Sequence, residues 1–171
     1  VDDEDAEEFC RRVSPRLVGS LLLQCEQRQV AEDIAQEALA RAWERWDAVS
    51  EMASPEGWVF RVAFNLVSSQ RRRTRAERRA ASRLASKASP AHSSSDDRLV
   101  LREVLAALPL RQRQAIVLRH YAQLSVSETA EVMQCAQGTV KALTSQGISS
   151  LRRSRPDVVE RDPATEVVPD A

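Results

Sequence analysis

The chain has 171 residues, 43% of them hydrophobic and 29% charged, with a formal net charge of +0 at pH 7. That apolar fraction is ordinary for a globular protein and excludes wholesale disorder. No apolar run approaches the ~20 residues that span a bilayer, and three cysteines with no CxxC spacing exclude a disulfide framework. With no signal-peptide pattern either, a reduced cytoplasmic protein without membrane insertion is expected.

Only four glycines are present and alternating β-branched runs are scarce, so an all-α fold is expected. The neutral total hides segregated charge. "DDEDAEE" (Asp2–Glu8) is acidic, "RRRTRAERRAASRLASK" (Arg71–Lys87) is almost wholly basic, and "DVVERDPATEVVPDA" (Asp157–Ala171) is acidic again. Local charge decides whether a polyanion is bound, so a balanced total does not argue against nucleic acid.

A first block spans residues 7–79. In "VAEDIAQEALARAWERWD", Val30, Ile34, Ala38, Ala42 and Trp46 recur every four residues, with Trp43 beside them, as one wide apolar face. The opposite face carries Glu32, Asp33, Gln36, Glu37, Arg41, Glu44 and Arg45, and Glu37–Arg41 is a favourable i,i+4 pair. Ser54-Pro55 then offers an N-cap followed by proline at the first helical position. The helix that follows, "EGWVFRVAFNLVSSQRRR", changes from an aromatic half to a basic half. Aromatics at helical spacing are commoner in a core than in a stacking platform, so Trp58 is assigned to the core.

Residues 80–97, rich in Ser and Ala, read as a flexible linker. A second block spans residues 98–155: an amphipathic helix, a break at Leu108-Pro109, another helix, and then "LSVSETAEVMQCAQGTVKALTSQGISSLRR". The last stretch has the pattern of a helix-turn-helix. Ser125 and Glu128 have capping-box spacing, with Ser127 as an alternative cap. Thr129, Ala130, Val132 and Met133 point inward, and "QCAQG" makes the turn. A basic helix runs from about Gln137 to Arg153, burying Val140, Leu143 or Thr144, Ile148 and Leu151. Gln137, Thr139, Lys141, Ser145 and Gln146 face outward. Such a helix sets its N-terminal side chains against base edges in the major groove while backbone N–H groups and flanking cations hold phosphates. Residues 156–171 form an acidic tail, either solvating or laid over the basic helix in the absence of a partner.

Four segments occur in order, with the polar linker between the second and third: "AEDIAQEALARAWERWD", "PEGWVFRVAFNLVSSQRRR", "LAALPLRQRQAIVLRHY" and "SVSETAEVMQCAQGTVKALTSQGISSLRR". Together they resemble the extracytoplasmic-function (ECF) sigma factors of the bacterial sigma-70 family over residues 7–155. The resemblance implies two small helical domains joined by a flexible linker, the first (7–79) like sigma region 2 and the second (98–155) like region 4. It implies binding to the clamp and flap of core RNA polymerase and to promoter DNA, with an anti-sigma factor as a further partner in many members. Asp33, Gln36, Glu37 and Arg41 stand where the family contacts polymerase. Arg61, Asn65, Arg71, Arg72 and Arg73 fall on the helix that reads and opens the −10 element, with the loop 47–54 beside it. Gln137, Gly138, Thr139, Lys141, Ser145, Gln146 and Arg152 fall on the −35 helix.

Many members carry Ser-Arg after the lysine and a second Arg three residues on, where this chain has Ala142, Leu143 and Gln146. Going without one well-formed base contact weakens discrimination by about 1–3 kcal/mol, so the −35 sequence is not transferable from other members. No catalytic residue, cofactor or metal site is expected. His92 and His120 lack sequence partners, Asp33 and Glu37 lack a third ligand, and there is no nucleophile elbow or phosphate loop. Two other classes share part of the pattern: a self-sufficient helix-turn-helix repressor or activator, and a helical adaptor or inhibitor of transcription.

Overall fold

The structure, a computed structural model, describes residues 3–81 and 96–154; most of the expected linker and the whole acidic tail lie outside them. Among the described residues all regular structure is helical. It comprises α1 (Asp3–Leu22), α2 (Arg28–Glu44), α3 (Trp46–Ser50), α4 (Pro55–Ala81), α5 (Asp96–Ala106) and α6 (Leu110–Ile116), which runs on as a π-helical turn (Val117–Tyr121). α7 (Val126–Met133) and α8 (Gln137–Ser154) complete the fold.

Residues spaced by four, Phe9, Val13, Leu17 and Leu21, make α1 a continuous apolar stripe, and all four are buried. They meet α2, whose inward face is mostly alanine: Ala31, Ala35, Ala38 and Ala42, with Ile34. Large side chains against small ones bring the two helices close, and α1 packs more extensively on α2 than on any other element. The third wall is α4, which buries Val59, Phe60, Ala63, Phe64 and Val67. Phe60 is fully buried, with the Arg16 guanidinium 5.9 Å from its ring centroid.

The expected single helix through Trp46 is instead two. At Arg45 the backbone leaves the helical region (φ −121°, ψ 26°), so Trp46 begins α3 and packs against Phe9 with ring centroids 4.7 Å apart and the planes tilted by 41°. Trp43, still within α2, faces outward and is 41% exposed rather than part of the apolar face.

α4 starts as its sequence predicts. Ser54 Oγ accepts from the Gly57 N–H at 3.1 Å, and Pro55 needs no partner for a missing donor. Capping is complete at α7. Ser125 Oγ accepts from the Glu128 N–H at 3.1 Å, and the Glu128 carboxylate accepts from the Ser125 N–H at 2.8 Å. α7 ends at Gln134 in the left-handed region (φ 51°), an unusual conformation for a residue with a Cβ. That residue redirects the chain into α8.

One hydrophobic cluster runs through both halves, from Phe9, Leu21 and Phe64 to Leu105, Leu118, Val132 and Met133. Burial pushes the Cys25 thiol up to about 11, so it stays protonated at neutral pH, and all three cysteines are free.

Candidate nucleic-acid and polymerase interfaces

The helix-turn-helix is built from α7 and α8 against α6. Val140 is fully buried and Leu143, Thr144, Ile148 and Leu151 are half-buried along the same side of α8. Gly147 is buried where α8 crosses α6; a Cβ there would lie 2.6 Å from Ile116 Cδ1, so any larger residue makes the Ile116 side chain shift. On the other side Gln137, Gly138, Thr139, Lys141, Ser145, Gln146 and Arg152 are all exposed. Gly138 differs from Gly147. A Cβ at Gly138 would meet nothing within 4 Å, and its φ is not positive, so nothing within the chain requires a glycine there.

Two of the outward side chains hold only long contacts: Gln137 Nε2 to Ser127 Oγ and Gln112 Nε2 to Gln146 Oε1, each at 3.5 Å. Both amides can exchange these for a base edge. Lys141 and Arg152 lie on α8, which carries no acidic side chain of its own.

On α4 the spacing of residues sorts the predicted contacts into two faces. Trp58, Arg61, Val62, Asn65, Ser69 and Arg72 recur at three- and four-residue steps along one side; Phe60, Phe64, Val67 and Arg71 recur along the opposite side. Arg61, Asn65, Arg72 and Arg73 are exposed. Arg72 donates to Ser69 Oγ at 3.0 Å, and Arg73 pairs with Glu77 at 3.0 Å. Arg71 departs from its expected role. It is half-buried and donates to the Gln24 carbonyl, so in this arrangement its guanidinium holds the end of α1 rather than facing outward with Arg72.

On α2, Asp33, Gln36, Glu37 and Arg41 are exposed together, as expected. Asp33 accepts from Gln29 Nε2 at 2.8 Å, and Glu37 pairs with Arg41 at 2.8 Å. A groove joins this face to α4, lined by the charged Glu37, Arg41, Glu44 and Arg45 and by Ala40, Trp58 and Val62. Trp58 thus has two environments. It packs on the core, as its helical spacing suggests, and also lines the groove. The α2 face and the outer α4 face are one continuous surface, a juxtaposition that needs the helix pairing and is invisible to spacing alone.

Among the described residues there is no cluster of His, Cys, Asp and Glu that fits a metal ion, and no helix long and apolar enough to cross a membrane.

Among the described residues, this helical chain presents a helix-turn-helix and, apart from it, a charged, aromatic-lined helix pair, a combination suited to transcription proteins. Residues 9–77 match Sigma-70 region 2, and residues 98–151 match Sigma-70, region 4. The RNA polymerase sigma-E factor of Streptomyces coelicolor is 32% identical over 135 residues, which are 77% of this chain and 73% of that protein. The ECF RNA polymerase sigma factor SigL of Mycobacterium tuberculosis is 32% identical over 129 residues, 71% of this chain and 72% of that one. Among solved structures, the sigma factor RpoE in complex with the anti-sigma factor NepR, from Bartonella quintana, superposes with a TM-score of 0.77. It covers 93% of this chain and 99% of its own, and at 24% identity it supports the fold. The chain belongs to the sigma-70 family and is an ECF sigma factor, a protein that directs RNA polymerase to promoters.

Proposed function

We propose that the two surfaces divide promoter work by residue. The α2 face, Asp33, Gln36, Glu37 and Arg41, takes the clamp of core polymerase, and the 98–155 half takes the flap. Arg61, Asn65, Arg72 and Arg73 on the outer face of α4 take the −10 element. The Asn65 amide suits an unstacked base edge and the arginines suit the displaced strand. Gln137, Thr139, Ser145 and Gln146 read −35 base edges, while Lys141, Arg152 and the α8 N-terminus hold phosphates. Polymerase supplies all the chemistry, so no active site is needed in this chain. The compartment is the cytoplasm, where polymerase and promoter are.

The observation that carries this reading is the shared exposure of the α2 face and the outer α4 face on either side of one groove. A factor arranged so places polymerase and the −10 strand side by side. An anti-sigma partner is part of the proposal, since a solved relative is bound to one. Charge reversal tests the division of labour. Glu37→Arg is expected to weaken binding to core at least tenfold while leaving α8 able to bind duplex. Asn65→Ala is expected to leave core binding intact and reduce promoter opening. Equal core affinity for Glu37→Arg and wild type rejects the α2 assignment.

A further inference from the structure

Glu56, in the first turn of α4, is held by a different helix. Its two carboxylate oxygens each face an arginine of α1: Oε1 lies 3.7 Å from Arg12 Nη2, and Oε2 pairs with Arg16. The Glu37–Arg41 and Arg73–Glu77 pairs, by contrast, lie within single helices. Each guanidinium of α1 is also stationed over a buried ring, Arg12 at 5.7 Å from the Phe9 centroid and Arg16 at 5.9 Å from that of Phe60. The side chains of Arg16 and Glu56 are only 34% and 27% exposed. Partly exposed ion pairs contribute little to folding stability, so the arrangement is better explained by what it orients. A planar guanidinium and a carboxylate meet in few geometries.

The same helix supports both ends of the loop that precedes α4. A groove whose lining includes Glu8, Phe9 and Arg12 of α1 together with Ser50 and Pro55 brings the residues on either side of loop 51–54 onto α1. Before the loop, Val49 is fully buried, and its carbonyl accepts from the Met52 N–H at 3.1 Å. After it, Ser54 Oγ caps α4 on the Gly57 N–H, and a Cβ at Gly57 would lie 2.8 Å from that oxygen. The cap therefore uses space that a side chain would take. Between these fixed ends Glu51, Met52 and Ala53 are exposed. Pro55 and Asn65 are about 15 Å apart along α4, at ~1.5 Å per residue. With the start of α4 fixed on α1, the loop stands at a set distance from the Asn65 amide.

We propose that Arg12 and Arg16 are positioning residues for −10 recognition. Through Glu56 they fix the start of α4 and the stance of loop 51–54, and thereby which base fits between the loop and the outer face of α4, without touching DNA themselves. This rests on the −10 assignment of α4 given above. The −10 preference of this chain is then set in part by α1, a helix that carries none of the base-reading side chains.

The test uses the full chain bound to core polymerase, on promoter libraries with the −10 randomised and the −35 held constant, and then the reverse. Glu56→Gln is expected to lower the preference for the best −10 sequence over its single-base neighbours at least fivefold. Core affinity, −35 preference and the denaturant midpoint should stay close to those of the wild type. Arg16→Gln is expected to do the same, and the double variant no more than either alone, because both remove one linkage. Arg12→Gln should show a smaller loss in the same direction with an unchanged salt slope of promoter binding, since a side chain that binds no phosphate releases no counterion. An unchanged −10 preference in Glu56→Gln overturns the proposal. So does a proportionate fall in −10 and −35 preference, the mark of a merely structural role. A salt slope lowered by about one in Arg12→Gln marks a phosphate contact and overturns it as well. Asn65→Ala is run beside these variants. If it too leaves the −10 preference unchanged, the −10 assignment of α4 fails; if it alone shifts the preference, the assignment stands and only the positioning role fails.

Discussion

Gly138→Ala separates the stability of α8 from its use. Gly138 is the second residue of α8, exposed, with a φ that is not positive, and an added methyl meets nothing within 4 Å. Alanine is better than glycine inside a helix by about 0.8–1.0 kcal/mol. In the first turn a part of that gain applies, about 0.5 kcal/mol. For a protein of 150–250 residues 1 kcal/mol moves the midpoint by about 2–4 °C, so a rise of about 1–2 °C is expected. DNA binding should move the other way. If the N-terminal amides of α8 approach a phosphate closely, the methyl stands between them, and removing one charge-assisted hydrogen bond costs about 1.5–3 kcal/mol. Holoenzyme affinity for a promoter duplex should fall at least tenfold. The assays are thermal unfolding by circular dichroism and duplex binding by anisotropy at fixed salt, on the same preparations. A rise in midpoint with unchanged affinity refutes the close approach, and a fall in midpoint refutes the reading of open space.

Other substitutions follow from the same geometry. Phe60→Ala removes a fully buried ring and should cost about 3–5 kcal/mol, a large share of the ~5–15 kcal/mol available, read as a drop in denaturant midpoint. Lys141→Ala should weaken promoter binding about equally across sequences and lower the salt slope by about one, whereas Gln137→Ala should relax preference at one base position. The Ser54 hydroxyl, partial burial opposing it, the Ser125 N–H and hydroxyl, and Arg16 together hold the Glu128 carboxyl below the ordinary carboxylate range. A depressed carboxyl stabilises above its unfolded value of about 4.3 and loses that stabilisation as pH falls through the lower folded value. The stability gap between wild type and Glu128→Gln should therefore be level near neutral pH and close on acidification below about pH 4. Solvent screening keeps the gap small, and a gap that widens toward low pH rules out the assignment.

Features set by neighbouring residues were legible without coordinates. The Ser54-Pro55 start, the Ser125–Glu128 capping box and the inward set of α7 each depend on spacings of one to four residues, and all are present. The exposed faces of α2 and α8 were legible for the same reason, because polar residues at helical period cannot all be buried. Arg71 differs from its two neighbours in a way that composition does not reveal. A run of three arginines reads as one basic patch, yet its spacing from Phe60, Phe64 and Val67 assigns Arg71 to the inner face. The break at Arg45 has no glycine or proline to announce it, and Trp46 finds Phe9 only through the α1–α2 packing.

The contacts between the halves depend on pairs more than seventy residues apart, such as Ser54 with Glu128, and no local pattern encodes them. One signal was present nonetheless. An isolated glycine in an apolar helix costs stability unless something packs on it, and Gly19 is such a glycine, with the Tyr121 ring against it. The π turn left no comparable mark.

A chain built this way gives core polymerase its promoter, and transcription shows that directly. Purified core RNA polymerase, with and without the protein, should be run on fragments of the source genome and the 5′ ends mapped. Specific starts that depend on the protein, share −35 and −10 sequences and are reduced by Asn65→Ala are the expected result. Tight binding to core without specific starts is incompatible with that role and leaves an inhibitor or adaptor. Duplex binding with no effect on core is equally incompatible, and leaves a repressor.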